Sequence, residues 1–145
     1  MFEALFVPQP LLEGLTDAAC VQAMLDAERA LARAEARAEI LSPEAADAIS
    51  AACDVSRFDV PGLVAEGRAP GNPVEPLVRS LRAEVGDVAA EWVHWGATSQ
   101  DILDTALMLV ARRSLALVAG DLDRLAAWWR ENRSATPGRF AAALA

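Results

Sequence analysis

From Thr16 onward the apolar residues recur at helical spacing almost without a break. Val21, Met24, Leu25, Ala27, Leu31, Ala34 and Ala38 make one stripe through VQAMLDAERALARAEARAEI. Thr16 followed by Asp17 supplies a cap with an acid in the first turn, so the pattern predicts a helix from there to about Ile40. The charges between them, Glu28, Arg29, Arg33, Glu35, Arg37 and Glu39, read as the solvated face of that helix and are assigned no chemistry. Ser42, Pro43 and Glu44 stand in the favoured order for a second helix start, ending near Cys53. VPGLVAEG predicts a short helix. In RAPGNPVEPLVRSLRAEVG the cluster Pro70, Gly71, Asn72 and Pro73 forms a rigid turn before a helix over about 74–85. Pro76 falls in its first turn, where a missing N–H costs little. This turn is either a plain helix entry or a device that sets Asn72 and bare backbone N–H groups at a pocket edge.

After Gly86 a helical piece through Val88, Ala89, Ala90 and Trp92 leads into WVHWGATSQDILDT, and beyond it the period persists to about Arg133. Ile102, Leu103, Ala106, Leu107, Val110, Leu115, Leu117, Val118, Leu122, Leu125 and Trp129 keep a broad stripe, weakened only at Gly120 by ~1 kcal/mol against alanine. Some thirty residues at ~1.5 Å each make a rod of ~45 Å, too long for a compact domain of this size. The expectation is an all-α protein whose last helix belongs to a bundle completed by more chain, other subunits or both. No run of period two argues for a strand.

Composition then narrows the function. The chain has 145 residues, 54% hydrophobic and 23% charged, a globular balance. All 13 basic residues are arginine, against 21 acids, and the net charge is −8. Nucleic acid is therefore an unfavoured partner, since duplex affinity rests on clustered cations that release counterions. An anionic metabolite stays open, because a few arginines or one helix N-terminus make a local positive site within an acidic protein. Cys20 and Cys53 lie in helical patterns without metal-ligand spacing and read as small buried hydrophobes in a reducing compartment. The opening MFEALFVPQPLL lacks a basic n-region and is broken by prolines, and no stretch approaches ~18 uninterrupted apolar residues. A soluble cytoplasmic protein without membrane contact is expected. HExxH, CxxC, GxGxxG and GxSxG are all missing, and with one histidine no metal site is expected.

The remaining chemistry gathers at the quoted loop. Thr98 and Ser99 lie where the long helix begins, so either hydroxyl can cap it while first-turn N–H groups without intrahelical partners point outward. Two adjacent hydroxyls and free N–H groups at the positive end of a long dipole suit a carboxylate without any lysine. Asp101 and Asp104 offset the same dipole, and Asp101 is placed to fix a neighbouring hydroxyl. Gly96 permits close approach or a positive φ. His94 stands two residues earlier, able to donate a hydrogen bond to the same ligand or to move a proton at neutral pH. The same residues also fit ordinary capping and packing.

GATSQDILDTALML resembles the first signature region of the fumarase/aspartase superfamily. VHWGATSQD, the upstream GNPVEPLVRSLR and VQAMLDAERALARAEA together resemble its 3-carboxy-cis,cis-muconate cycloisomerase branch, over most of residues 15–133. The resemblance implies a mostly helical homotetramer with active sites built from several subunits. It implies a reaction without cofactor, in which one substrate carboxylate adds to a double bond activated by another, closing a lactone in protocatechuate catabolism. The costly species is an enolate-like dianion, stabilised by fixed donors aimed at the activating carboxylate. By motif correspondence Thr98 and Ser99 bind a substrate carboxylate, Asn72 is a further contact, Asp101 orients the loop and His94 binds substrate or handles a proton.

The sequence also departs from that family. The second region, with a histidine near G-R-T-x-x-Q-H, and the third, the loop G-S-S-x-M-P-x-K-x-N, are absent; ATPGR at 135–139 faintly echoes the approach to the second. The chain therefore reads as an N-terminal portion, inactive alone, with a helical domain over 1–99 and the start of the central bundle over 100–145. Two alternatives are carried: a lyase resembling adenylosuccinate lyase, which shares H-x-G-x-T-S-x-D, and a helical assembly module without catalysis.

Overall fold

The helix foreseen from Thr16 is the element on which the others are laid. The structure, a computed structural model, describes residues 7–132, and no strand occurs among them. In chain order the helices are α1 (Gln9–Gly14), α2 (Asp17–Arg37), α3 (Pro43–Ala52), a 3-10 turn (Val55–Arg57), α4 (Val60–Glu66), α5 (Val74–Val85), α6 (Asp87–Ala90) and α7 (Ser99–Asn132). α1 was not foreseen: the prolines that break the opening stretch also start this short helix, with Pro10 in its first turn. The reading of ATPGR lies outside the described residues.

Local chemistry explains most of the boundaries. Thr16 Oγ1 accepts from the Ala19 N–H at 3.2 Å and Ser42 Oγ from the Ala45 N–H at 3.2 Å, each satisfying a first-turn donor. Asp59 Oδ1 does the same for Gly62 at the head of α4. α2 stops a little before the expected end. The Ile40 N–H donates to the Glu35 carbonyl at 2.9 Å and the Glu39 N–H to the Ala36 carbonyl at 3.1 Å, closing a Schellman motif with Glu39 at φ 58°. A glycine usually signals such a stop; here a glutamate holds the left-handed position.

α2 packs mainly against α3 and α7, and α3 in turn meets α5 and α6. The inward face of α2 runs Val21, Met24, Leu25, Glu28, Ala32 and Glu35, and it meets Ala45, Ala46 and Ile49 of α3 and Ile102, Ala106 and Val110 of α7 within one core. The alanines let helix axes approach closely. Leu77 and Leu81 of α5 and Val93 of the loop join that core. At its edge Arg113 of α7 bonds Asp26 of α2 at 2.6 Å.

Three sequence expectations are corrected here. Glu28 and Glu35 do not belong to the solvated face: they are 1% and 6% exposed. Ala34 and Ala38, counted with the apolar stripe, are exposed instead. Only Cys53 is a fully buried thiol, pushed up to about 12 chiefly by burial, whereas Cys20 is half-buried beside a hollow. Along α7, Leu107, Leu115, Leu117, Val118, Leu122, Leu125 and Trp129 are all exposed in this chain.

Two stability changes follow from these ends and faces. Glu39→Gly relieves a left-handed residue in an exposed turn and should stabilise the chain by about 0.5–1 kcal/mol, read as a higher urea midpoint. Glu35 Oε2 is sealed from solvent without a hydrogen-bond partner, and burial, then the neighbouring Glu28 charge, raises the carboxyl above its ordinary value of 4.5. A raised folded-state value means that its penalty is absent below pH 4.5 and grows as pH climbs through that raised value. Glu35→Met should therefore stabilise at pH 7 by about 1 kcal/mol, and the gain should shrink on acidification towards pH 4.5.

Candidate functional site

The turn between α6 and α7 is shaped by two left-handed residues, His94 at φ 63° and Gly96 at φ 67°. Glycine takes this conformation freely; histidine does so at a cost of roughly 1 kcal/mol and needs its surroundings to hold it. Two bonds do so. Nδ1 of His94 lies 2.6 Å from Oε1 of Glu28 in the middle of α2, and Arg82 Nη2 of α5 donates to the Val93 carbonyl at 3.1 Å. Trp92 and Trp95 flank the histidine, with ring centroids 5.3 Å apart and planes tilted by 57°. Burial pushes the Glu28 carboxyl up, and the facing His94 and Arg82 offset only part of that effect.

Thr98 and Asp101 form a reciprocal cap. The Thr98 N–H donates to Asp101 Oδ2 at 2.8 Å, the Thr98 hydroxyl donates to the same oxygen at 3.1 Å, and the Asp101 N–H points back to Thr98 Oγ1 at 3.4 Å. These bonds, the backbone one first, hold the Asp101 carboxyl below its ordinary value of 3.8. The Thr98 hydroxyl is thus committed to the helix start. Ser99, the first residue of α7, is not, and among the described residues the N–H groups of Ser99 and Gln100 meet no acceptor, whereas that of Asp101 already donates to the Thr98 carbonyl at 3.1 Å.

Ser99 and His94 open onto one hollow of about 460 Å³, whose other walls are Glu75, Val78, Arg79 and Arg82 of α5. Glu75, Val78, Arg79 and Arg82 follow the three- and four-residue rhythm of one helix face. Arg79 is paired with Glu66 of α4 on its outer side, and Arg82 spends one donor on Val93 while its guanidinium carries five. Arg82, the Ser99 hydroxyl and the start of a 34-residue helix, together with Arg79, whose charge is shared with Glu66, face the Glu75 carboxylate and leave this hollow attractive to an anion, although Asp101 already offsets part of the helix dipole. No cluster of three potential metal-ligating side chains occurs among the described residues.

Of the residues singled out from sequence, the structure brings His94 and Ser99 to the hollow and sets Thr98 and Asp101 just behind it as the cap. Asn72 is elsewhere. Its Oδ1 accepts from the Val74 N–H at 3.0 Å, starting α5, and its side chain borders a different hollow, shared with Cys20, Met24 and Arg68. Three residues of the site escaped the sequence reading: Glu28, Arg79 and Arg82. Glu28 stands seven residues after Val21 and three after Leu25, in register with the buried stripe. That register was the available signal.

Residues 8–135 match the lyase family. The 3-carboxy-cis,cis-muconate cycloisomerase of Pseudomonas aeruginosa is 44% identical over 129 residues, which are 87% of this chain and 28% of that protein. Nitrosuccinate lyase of Streptomyces davaonensis is 47% identical over 121 residues, covering 81% of this chain and 26% of the relative. The crystal structure of 3-carboxy-cis,cis-muconate lactonizing enzyme from Pseudomonas putida superposes with a TM-score of 0.83 at 42% identity, covering 87% of this chain and 30% of that one. The all-α architecture expected from the sequence is the one found in that neighbour.

The cap is testable apart from any reaction. Thr98→Ala should cost about 1 kcal/mol of stability, and Asp101→Asn should flatten the acid limb of the unfolding curve. Asp101, held low in the folded state, contributes above pH 3.8 and loses its contribution as pH falls below it. Urea midpoints measured across that range check both. With the helices, the loop and the match over residues 8–135 in hand, the chain belongs to the lyase family.

Proposed function

We propose that this chain is the N-terminal portion of an enzyme of the 3-carboxy-cis,cis-muconate cycloisomerase type, and that the hollow at the head of α7 holds one carboxylate of a polycarboxylate substrate. The observation that carries the reading is the convergence of Ser99, His94, Arg79 and Arg82 on one cavity at a helix N-terminus. In the proposed arrangement the Ser99 hydroxyl and the first N–H groups of α7 bind the carboxylate oxygens, and Arg82 and Arg79 neutralise the charge. Such donors matter most when that carboxylate takes up the second negative charge of an enolate-like species. His94 contacts substrate at the opposite wall or handles its proton. Thr98 and Asp101 keep Ser99 in place, and Asn72 serves the neighbouring turn, at most touching a distal part of the ligand. No cofactor is invoked.

The chain spans 28% of the length of the Pseudomonas aeruginosa relative, and its hollow is open. The proposal therefore includes residues from outside this chain that close the site, in a cytoplasmic homotetramer whose central bundle begins with α7. The segment before it, to about residue 99, forms the helical domain that carries the loop. By itself the 145-residue chain is proposed to be inactive. A second reading, elimination from a nitro-substituted dicarboxylate, is favoured by the 47% identity to nitrosuccinate lyase; both place a carboxylate in the same hollow.

Turnover by the product of the whole coding sequence decides. With 3-carboxy-cis,cis-muconate, Ser99→Ala should lower kcat/KM by about 10²-fold and His94→Gln by at least about tenfold. Equal rates in all three proteins would remove the site. Turnover of nitrosuccinate alone would transfer it to the second reading, and turnover of adenylosuccinate alone would overturn the branch.

A further inference from the structure

We infer that Glu28 is a positioning residue that fixes His94 with its proton on Nδ1, so that the neutral ring turns the bare lone pair of Nε2 into the hollow. This rests on the proposed function for its consequence in catalysis, but not for its geometry. Glu28 is 1% exposed and lies 66 residues away in sequence from the histidine it meets. Its Oε1 stands 2.6 Å from Nδ1, and Nε2 has no hydrogen bond to the described residues, yet is not among the side-chain atoms sealed from solvent without a partner. His94 lines the hollow. With one ring nitrogen turned to a buried carboxylate, the opening faces the other.

A buried carboxylate has no donor of its own when ionised, so the short contact is satisfied by an N–H on Nδ1. The proton's place on one nitrogen is set by the bond the other makes. That assigns different work to the two walls of the cavity. Arg79, Arg82 and Ser99 supply donors for an anionic oxygen, whereas neutral His94 offers an acceptor, matched to a hydroxyl or an acidic hydrogen of the ligand rather than to its carboxylate. His94 also holds a left-handed backbone, φ 63°, a cost that its surroundings must offset. Other ionisable groups near the pair are Arg82, which lies against the loop, Glu35 on the same face of α2, Asp101 at the head of α7 and the Cys53 thiol beside Glu28.

His94 is the only histidine of the chain, so its imidazole nitrogens are the only ones in a ¹⁵N spectrum. The experiment is long-range ¹H–¹⁵N correlation on the 145-residue chain at about pH 9, where an ordinary imidazole is neutral. The expected pattern is protonated Nδ1 and bare Nε2, in at least about tenfold excess over the other tautomer, a difference of ~1.4 kcal/mol. Glu28→Leu removes the acceptor and should abolish that excess. Glu28→Gln can donate its amide to Nδ1 and should move the proton to Nε2. A protonated Nε2 in the unmutated chain, with the neutral Glu28 acid donating to Nδ1, would overturn the inference without any variant needing to fold. In the whole gene product Glu28→Gln should lower kcat by about 10–100-fold with KM changed less than about twofold. If the tautomer is as stated but Glu28→Gln turns over normally, Glu28 is overturned as a positioning residue for the reaction, while the carboxylate reading, judged on Ser99→Ala, stands or falls separately.

Discussion

The constraint from which the rest of this structure follows is that one face of α2 must be buried along its whole length while carrying two carboxylates. An alanine-rich face lets α3 and α7 come close, and close helices leave little room for water. Glu28 is tolerated there because the chain returns, 66 residues later, with a histidine to meet it. The meeting point then fixes everything downstream of it. With His94 held by Glu28 and Val93 held by Arg82, the loop can reach the first turn of α7 in only a few residues, and Ser99 arrives beside α5 rather than elsewhere on the surface. Glu35 shows the other outcome of the same constraint: no partner reaches its Oε2, and its charge is simply disfavoured.

Most of the helices were legible because their signals are local. Thr16, Ser42 and the Pro73 turn each mark a start through atoms within three residues, and the heads of α2, α3, α5 and α7 lie where those signals put them. The end of α2 was less legible, since its Schellman motif is closed by Glu39 where a glycine would have announced it. The candidate site was read in half. Thr98, Ser99 and Asp101 belong to one short motif whose capping chemistry shows in order along the chain. Glu28, Arg79 and Arg82 do not, because what makes them part of the site is contact across the fold. On a helix studded with Glu and Arg, an inward glutamate differs from an outward one only in register, and the register of α2 is blurred by alanines on both faces.

Asn72 stands at the edge of a hollow other than the one Ser99 lines. Its turn is as rigid as the sequence suggests, but rigidity there serves the entry to α5: the side chain closes on the Val74 N–H and faces the Cys20 hollow. The helix it starts is what matters to the site. By fixing the first turn of α5, the turn fixes the azimuth of Glu75, Arg79 and Arg82 four and seven residues on, and it is their face that looks towards Ser99. A motif can thus contribute to a cavity through the helix it orients, without lining the cavity itself.

The outer length of α7 is bare, and so is one side of the hollow at its head. Ile102, Ala106 and Val110 cover the part of the helix that α2 can reach, and past that point leucines and Trp129 stand exposed where a bundle neighbour would cover them. The hollow sits at the head of the same helix, walled by α5 and the loop and open on its remaining side. Oriented amides and guanidinium groups gain most from excluding water, since their attraction for a developing charge rises steeply as the surroundings become less polar.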